Sequence, residues 1–320
     1  MSILVTGAAG FAGSHIVEEI LTQTKNYVVA LDCLTYAGRL DRLAHLPQDR
    51  IRVVHHDFRE PLGKGLLYDL ESVDAIVHNG AESHVLRSIV DPELFVQSNI
   101  MGTFNMLQAA RELEVNRFLY VSTDEVYGPA VPSLAYEETD RLRPSNPYSA
   151  TKAAGDMLAL AWKRTFTVPV IITRTMNMFG KRQHPEKMVP KTIRAILRNE
   201  VVDIHCNAQG APGVRHWLSA RNQASAILYL LKHGVDGEIY NVTGDRLSNL
   251  EMASELAAAM HRASAFRFVD VFSSHPGHDF SYDICDAKIR NLGWQPVVGF
   301  MEALRDTVQF SVANPEWLEG

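Results

Sequence analysis

Two groups of side chains in this sequence belong to residue types that move protons. Asp124 and Glu125 are adjacent carboxyls that follow an apolar segment. Tyr148 and Lys152 are four residues apart, a spacing that places both on one face of a helix. A phenol with an ordinary pKa of about 10 is a poor base at neutral pH, and a nearby ammonium favours its ionised form. The sequence therefore predicts a tyrosine–lysine base beside two carboxyls that can act as acid and base.

The surrounding segments predict an α/β fold, a doubly wound parallel sheet of Rossmann type. Apolar strands alternate with helical segments up to Asn177. The predicted strands are residues 2–6, 27–31, 51–54, 74–78, 117–121 and 168–173, and the predicted helices are 11–24, 92–113 and 148–166. Ligands bind beyond the carboxyl ends of such strands, which is where Thr123, Asp124 and Glu125 would lie.

After Asn177 the alternation is less regular, which predicts a smaller α+β lobe. We expect residues 1–177 to bind a dinucleotide and residues 178–320 to bind mainly the substrate, with some segments returning to the main domain. Helices are predicted at 186–198, 222–232, 249–262 and 300–310, and strands at 201–205, 238–242 and 266–269.

A glycine-rich turn follows the first predicted strand. Gly7, Gly10 and Gly13 have the spacing that permits a tight turn and close approach of a pyrophosphate to the backbone. The next strand ends in Asp32, a carboxylate that suits the ribose hydroxyls of NAD and repels the extra phosphate of NADP. We therefore expect NAD as cofactor; the alternative is that Asp32 is a solvated loop residue. Asp57, after the third strand, would contact an adenine edge or cap the following turn.

Composition narrows the class of protein. The 320-residue chain has a formal net charge of −6 and no basic run, which argues against nucleic acid as a partner. Its three scattered cysteines indicate no disulfide framework, and its histidines lack metal-ligand spacing, so no metal is expected. No apolar stretch approaches the length of about 18 residues that spans a membrane. We expect a cytoplasmic protein that forms a homodimer.

Several motifs resemble those of a known family. The turn at residues 7–13, the Tyr148–Lys152 pair and the chain length resemble the extended short-chain dehydrogenase/reductases that act on nucleotide sugars. Within that family, segments 31–38, 81–85, 123–128, 185–187 and 276–279 resemble the hexose 4,6-dehydratases, such as those acting on dTDP-glucose. The adjacent Asp124 and Glu125 are the specific part of this resemblance, because the epimerase branch generally lacks them.

The resemblance implies a role for each catalytic residue. NAD would oxidise the sugar at carbon 4, with Tyr148 taking the hydroxyl proton and Thr123 holding the oxygen. The new ketone would acidify the proton on carbon 5, which Glu125 would remove while Asp124 protonates the departing hydroxyl of carbon 6. Such an elimination needs both an acid and a base, and two carboxyls can supply them if their surroundings separate their pKa values.

The resemblance also implies binding residues. Cofactor contacts are expected at Gly7, Gly10, Phe11, Ala12, Gly13, Asp32, Cys33, Leu34, Thr35, Ala37, Gly38, Asp57, Phe58, Gly80, Ala81, Ser83, Asn99, Ser122, Tyr148 and Lys152. Substrate contacts are expected at Ser83, Thr123, Asn177, Lys187, Met188, His205, Arg215, His278 and Tyr282.

The substrate lobe departs from the pattern of the thymidine-sugar enzymes. His205 stands where they tend to have tyrosine, Leu86 stands where aspartate is usual, and histidines occupy positions 216 and 275. The catalytic residues of the thymidine-sugar enzymes are present in this sequence, whereas the residues that would bind the nucleotide base and the sugar differ. On overall similarity the chain resembles the hexosamine 5,6-dehydratases of tunicamycin biosynthesis, an antibiotic pathway. This implies UDP-N-acetylglucosamine as substrate and a 5,6-alkene as product.

Three other functions remain open from the sequence. A 4,6-dehydratase of the dTDP-glucose type would give a 4-keto-6-deoxy sugar instead. A nucleotide-sugar 4-epimerase would need only Tyr148, Lys152 and NAD, and the carboxyl pair speaks against it. A binding module that senses NAD without catalysis would be favoured by a broken tyrosine–lysine pair, which is intact here.

Overall fold

The computed structural model describes residues 1–131, 134–270 and 279–319. Its strands are β1 Ser2–Thr6, β2 Tyr27–Asp32, β3 Ile51–His55, β4 Ala75–His78, β5 Arg117–Thr123, β6 Val170–Thr175, β7 Asn177–Phe179, β8 Val202–Cys206, β9 Val214–Ser219, β10 Ile239–Val242, β11 Asp245–Ser248 and β12 Phe266–Asp270. Its α-helices are α1 Phe11–Gln23, α2 Lys64–Asp69, α3 Val85–Val90, α4 Pro92–Phe95, α5 Gly102–Glu112, α6 Pro147–Phe166, α7 Met188–Leu197, α8 Ala220–His233, α9 Asn249–Ala259, α10 Ala287–Leu292 and α11 Phe300–Ala313.

A parallel sheet of seven strands forms the main body, in the order β10-β6-β5-β4-β1-β2-β3. Its central strands are apolar and almost wholly buried because helices cover both faces. The strand order reverses between β1 and β4, which opens a crevice at their carboxyl ends. The predicted doubly wound Rossmann-type fold is confirmed.

Helix α6 carries the tyrosine and lysine of the sequence prediction. Asn146 caps its first turn: its side chain accepts from the Ser149 N–H, while the Ser149 hydroxyl accepts from the Asn146 N–H. The helix runs to Phe166 and ends at Thr167, which adopts a left-handed conformation. Tyr148 and Lys152 therefore lie in its first two turns, close to the cap, and both are buried.

The predicted helix at 92–113 is not continuous. The structure has α4, then a π-helix at Val96–Met101, then α5, and α3 precedes them as a separate helix. The wider π-turn contains Asn99, whose buried amide bonds to both backbone groups of Glu82 after β4, at 2.9 and 3.0 Å. Apolar residues recur through all three segments, and the sequence analysis predicted one helix there.

The second lobe contains two small sheets. Strands β11, β9 and β7 form one of them, and β12 pairs with β8 in the other. The sequence analysis missed β7, β9 and β11, which are short and partly polar. Trp217 and Phe179 pack with α7, α9 and α11 in the core of this lobe. Strand β10, by contrast, joins the main sheet, and the division at residue 177 stays a prediction.

Within the described ranges, no helix is both long enough and apolar enough to cross a membrane.

Candidate active site

A cavity of about 860 Å³ runs along the carboxyl ends of the central strands and into the second lobe. Gly7 and Asp32 line one end, Thr123 and Glu125 the middle, and His205 the far end. Its volume is near the top of the range of about 300–1,000 Å³ that is usual for ligand sites. The cavity is therefore large for a ligand site, and its lining includes both the glycine-rich turn and His205.

The glycine-rich turn brings three backbone segments together at one end of this cavity. Gly7 has a φ of 62°, and a Cβ added there would lie 2.7 Å from the Cα of Gly80 after β4. A Cβ at Gly13 would collide with the carbonyl of Gly7, so α1 packs directly on the turn. Both close approaches require glycine, and they leave the N-terminus of α1 at the cavity, where it can bind a pyrophosphate.

Asp32 is held in one orientation at the end of β2. Its two carboxylate oxygens accept hydrogen bonds from the backbone N–H groups of Ala9 at 2.9 Å and Leu34 at 2.8 Å. A Cβ at Gly38 would lie only 2.9 Å from the same carboxylate. A fixed carboxylate at the cavity wall fits the ribose of NAD, and these residues together fit that cofactor.

Asp57 also lines this end of the cavity. It accepts from the backbone N–H and the guanidinium of Arg59, at 3.0 Å and at 2.5–3.0 Å. The hydrogen bonds from Arg59 lower the pKa of Asp57. Of the two predicted roles, the capping of the following turn is the one that the geometry shows.

Thr123, the last residue of β5, organises the two carboxyls. Its hydroxyl oxygen accepts from the Glu125 N–H at 3.3 Å and so caps a 3₁₀ turn at Asp124–Tyr127. The same hydroxyl donates to the Asp124 carboxyl at 3.1 Å. Asp124 is 3% exposed, and burial together with the charge of Glu125 raises its pKa to about 8. Asp124 is therefore mostly protonated at neutral pH.

Glu125 has different surroundings and faces the cavity. One of its oxygens accepts from the Asn146 amide at 3.3 Å and from the Tyr282 hydroxyl at 3.2 Å. Burial raises the pKa of Glu125, while the positive charge of Arg215 and these hydrogen bonds oppose the increase. The two adjacent carboxyls thus have the separate environments that an acid–base pair requires.

Tyr148 lines the cavity beside these carboxyls. Burial raises the pKa of Tyr148, and the charges of Glu125 and Asp124 raise it further, while a hydrogen bond with Thr123 lowers it. Lys152 is not among the groups that shift this pKa, so its expected effect on the phenolate stays a prediction. The Lys152 ammonium donates to the Val121 carbonyl at 2.7 Å.

A buried ion pair lies one helical turn behind Lys152. Asp156 accepts from the Arg174 guanidinium at 2.9 Å, and both side chains are almost fully buried. Burial lowers the pKa of Lys152 to about 7, and the charge of Asp156 opposes this decrease. The Lys152 ammonium also lies 4.2 Å from the centre of the Tyr120 ring. These contacts hold the lysine against β5.

The residues predicted to bind substrate lie in and around the far part of the cavity. Ser83, Asn177, Lys187, Met188, His205, Arg215 and Tyr282 line it, and His278 lies outside the described residues. Arg215 is 7% exposed and donates to the carbonyls of Val214, Asp279 and Phe280. Lys187 directly precedes α7 and lies 3.9 Å from Glu186. A cation beside a helix N-terminus suits a diphosphate.

Most of the predicted cofactor residues also line the cavity. These are Gly7, Gly10, Phe11, Ala12, Asp32, Cys33, Thr35, Ala37, Gly38, Asp57, Phe58, Gly80, Ala81, Ser83, Ser122, Tyr148 and Lys152. Gly13, Leu34 and Asn99 are not in the lining, and neither is the catalytic candidate Asp124. Gly13 permits the packing of α1, and Asn99 holds the backbone of Glu82. Leu34 binds Asp32 through its backbone, and Asp124 lies behind Thr123.

The sequence analysis missed a group of residues that connects the two lobes across the cavity. The Tyr36 hydroxyl donates to Glu186 at 3.2 Å, and the Arg87 guanidinium lies 3.9 Å from the centre of the Tyr36 ring. Tyr36 lies in the motif at 31–38 and Glu186 in the motif at 185–187, so these two motifs could have indicated both residues. Asn146, the partner of Glu125, carried only the signal of a helix cap.

Among the residues that the structure describes, no cluster of three or more His, Cys, Asp and Glu side chains could hold a metal ion.

Fold and site together define an NAD-dependent enzyme with a nucleotide-binding crevice and a tyrosine–lysine pair. Residues 3–243 match the model of the NAD dependent epimerase/dehydratase family, and the chain belongs to this family. The predicted resemblance to nucleotide-sugar enzymes of this family, with 4,6-dehydratases among the relatives, is confirmed, and so is NAD as the cofactor.

Individual relatives cover the whole chain. The low-salt glycan biosynthesis protein Agl12 of Haloferax volcanii is 40% identical over 99% of this chain and 100% of its own. A dTDP-glucose 4,6-dehydratase of Escherichia coli is 36% identical over 100% of this chain and 95% of its own. The crystal structure of DesIV, a dTDP-glucose 4,6-dehydratase of Streptomyces venezuelae with NAD bound, superimposes with a TM-score of 0.91 at 38% identity. It covers 100% of this chain and 99% of that chain.

Proposed function

We propose that this enzyme is a nucleotide-hexose dehydratase that oxidises carbon 4 of the sugar and removes water across carbons 5 and 6. The observation that carries the proposal is the arrangement of Asp124 and Glu125 beside Tyr148. One carboxyl is buried and protonated, while the other faces the cavity and accepts two hydrogen bonds. A 4-epimerase does not need such a pair, because it neither breaks the C–H bond at carbon 5 nor removes the hydroxyl group at carbon 6.

The first step needs a base at carbon 4. NAD, when bound, supplies the oxidant for carbon 4 and the reductant that completes the cycle. Tyr148 accepts the hydroxyl proton, and Thr123 holds the oxygen. Because burial raises the pKa of Tyr148, the ionised phenol depends on a charged Lys152 on the same face of α6.

The second step is an elimination. The ketone at carbon 4 acidifies the proton on carbon 5, which passes to Glu125. The bond between carbon 6 and its oxygen breaks, and the proton of Asp124 converts the departing hydroxyl to water. The Thr123 hydroxyl bonds to Asp124 and lines the cavity, so it offers a path for that proton. At neutral pH Asp124 holds the proton that this step requires.

The relatives favour one outcome of the reaction. Those named as dTDP-glucose 4,6-dehydratases are similar to this chain over its entire length. Their similarity supports a 4-keto-6-deoxy product better than it supports the 5,6-alkene expected from the sequence. A product of the 4,6 type is therefore the first candidate.

A 5,6-dehydratase acting on UDP-N-acetylglucosamine is the second candidate. It is favoured by the residues that depart from the thymidine-sugar pattern, because His205 and Leu86 line the same cavity as Glu125. Both candidates share the oxidation and the loss of water and differ in the nucleotide sugar used and in the carbon that is finally reduced.

An isotopic label separates the two outcomes. The purified enzyme is incubated with dTDP-glucose and with UDP-N-acetylglucosamine, each carrying deuterium at carbon 4. Label recovered at carbon 6 of a 4-keto sugar supports the first candidate, and label retained at carbon 4 of a 5,6-alkene supports the second. Epimerised sugar without loss of water would contradict the proposal.

Variants of the carboxyl pair test the assigned roles. Glu125→Gln should reduce exchange of the carbon 5 proton with solvent, and Asp124→Asn should reduce release of water. Each loss should be about a hundred- to ten-thousand-fold, with oxidation at carbon 4 comparatively intact. If both variants dehydrate at the wild-type rate, the mechanism is wrong.

A homodimer is a further part of this proposal. Ile89, Val90, Val96, Met101 and Met157 expose 42–85% of their surface on elements that contact one another, namely α3, the π-helix and α6. An apolar face of this kind supports burial against a second copy. Sedimentation of the wild type and of Val90→Asp at equal concentrations tests it, and a monomeric wild type would contradict it.

A further inference from the structure

A line of oxygen atoms leads away from Glu125 on the side remote from Asp124. The Tyr282 hydroxyl lies 3.2 Å from a Glu125 oxygen and 2.9 Å from an Asp279 oxygen. The Ser145 hydroxyl donates to the same Asp279 oxygen. The elimination described above uses none of Tyr282, Asp279 and Ser145.

The number of protons restricts how these groups can bond. A phenol has one proton and donates to one acceptor at a time. Tyr282 cannot donate to Glu125 and Asp279 together, so both hydrogen bonds form only when one of the two carboxyls is protonated. Burial between these carboxyls raises the pKa of Tyr282 well above its ordinary value, so the phenol keeps its proton. Glu125 is protonated just after it takes the proton from carbon 5.

We propose that Tyr282 and Asp279 form a proton relay that carries the proton taken up by Glu125 to solvent beside Ser145. The proton on Glu125 passes to the Tyr282 oxygen while the phenol proton passes to the Asp279 carboxylate. One O–H bond breaks and one forms at each transfer, no electron is transferred, and the phenol is neutral before and after. Asp279, now protonated, releases the proton to water. This inference rests on the proposed dehydration.

The route leads from the interior to the surface. Tyr282 is 5% exposed, Asp279 is half-buried and Ser145 is exposed. Arg215 holds this segment, because it donates to the Asp279 carbonyl at 2.6 Å and lies 5.0 Å from the centre of the Tyr282 ring. The relay therefore has a rigid inner end and a solvated outer end.

The two outcomes differ in their need for such an exit. Each elimination leaves Glu125 with an extra proton and Asp124 without one. The 4-keto-6-deoxy product takes a proton back at carbon 5, which Glu125 can return directly or draw from solvent through the relay, whereas the 5,6-alkene has no proton at carbon 5 and requires Glu125 to release its proton to solvent. A proton that stays on Glu125 can only return to carbon 5, whereas a relayed proton exchanges with solvent. Exchange at carbon 5, compared with the rate of water loss, therefore reports on the relay.

The test compares these two rates in deuterated water. Deuterium at carbon 5 of recovered substrate and release of water are measured with dTDP-glucose and UDP-N-acetylglucosamine for the wild type, Tyr282→Phe and Asp279→Asn. The relay predicts that the ratio of exchange to water loss falls about tenfold or more in both variants. A hydrogen bond that only positions Glu125 would slow both processes together and leave the ratio unchanged.

Tyr136→Phe is the matched control. Tyr136 is on the same side of the fold and donates to the Pro129 carbonyl, with no contact to Glu125 among its hydrogen bonds in the described chain. It should keep the wild-type ratio. An unchanged ratio in both relay variants, with water still lost, would overturn the relay alone. A wild type that loses no water from any nucleotide hexose would overturn the proposed function and the relay with it.

Discussion

The carboxyl groups of Asp124 and Glu125 are neighbours in the chain but differ in their access to the cavity. Asp124 is behind Thr123, outside the cavity lining, and Glu125 is at the cavity wall beside Asn146 and Tyr282. Burial raises the pKa of both, and to about 8 for Asp124. Their different positions, more than their shared residue class, allow one to donate a proton while the other accepts one.

This arrangement predicts the pH dependence of water loss. Asp124 must be protonated to act, so the rate of elimination should fall about tenfold per pH unit above about pH 8. Single-turnover measurement of water release from pH 6 to pH 10 checks this. In the Asp124→Asn variant, the slow residual rate of water release should no longer decrease above about pH 8. A decrease of the same midpoint in the variant would assign it to another group, such as Lys152.

The tyrosine–lysine pair predicts a block at the first step. Tyr148→Phe removes the base, and Lys152→Met removes the positive charge that favours its ionised form. Each should reduce oxidation at carbon 4 by about a hundredfold or more. Transient absorbance of reduced nicotinamide in a single turnover is the measurement. If the Tyr148→Phe variant oxidises carbon 4 at the wild-type rate, Tyr148 is not the base.

The buried pair of Asp156 and Arg174 predicts a large effect on stability. Asp156→Asn leaves the Arg174 guanidinium buried without its counter-charge, which should lower the free energy of unfolding by about 3–5 kcal/mol. Asp69→Asn is the control, because Asp69 and Arg52 form a pair that is more than half exposed and worth about 0–1 kcal/mol. Urea unfolding of both variants at one pH checks the difference, which equal losses would contradict.

The glycine-rich turn predicts a loss of cofactor affinity on a single methyl addition. Gly7→Ala places a side chain in the left-handed region and against the backbone of Gly80, at a cost of about 1–3 kcal/mol. NAD should therefore bind about tenfold or more weakly by titration. Gly65→Ala, in the exposed helix α2 with no atom within 4 Å of its Cβ, should leave affinity unchanged. Equal affinities in the two variants would refute the role of Gly7.

Local patterns in the sequence determined much of this protein. The alternation of apolar strands with helices predicts the parallel sheet, because each strand buries both faces under helices. The spacing of Gly7, Gly10 and Gly13 predicts the turn, and the four-residue spacing of Tyr148 and Lys152 places both on one face of α6. Each of these patterns is formed by residues that are close together in the sequence.

The tertiary structure decided what surrounds each reactive group. Tyr282 is 157 positions from Glu125, and Arg174 is 18 positions from Asp156, and no periodicity reports such contacts. The π-turn that directs Asn99 to Glu82 and the carbonyls that hold Arg215 are likewise visible only in the folded chain. A pKa depends on burial and on charges brought together from distant segments. The sequence can therefore name the two carboxyls, and only the fold gives each of them its surroundings.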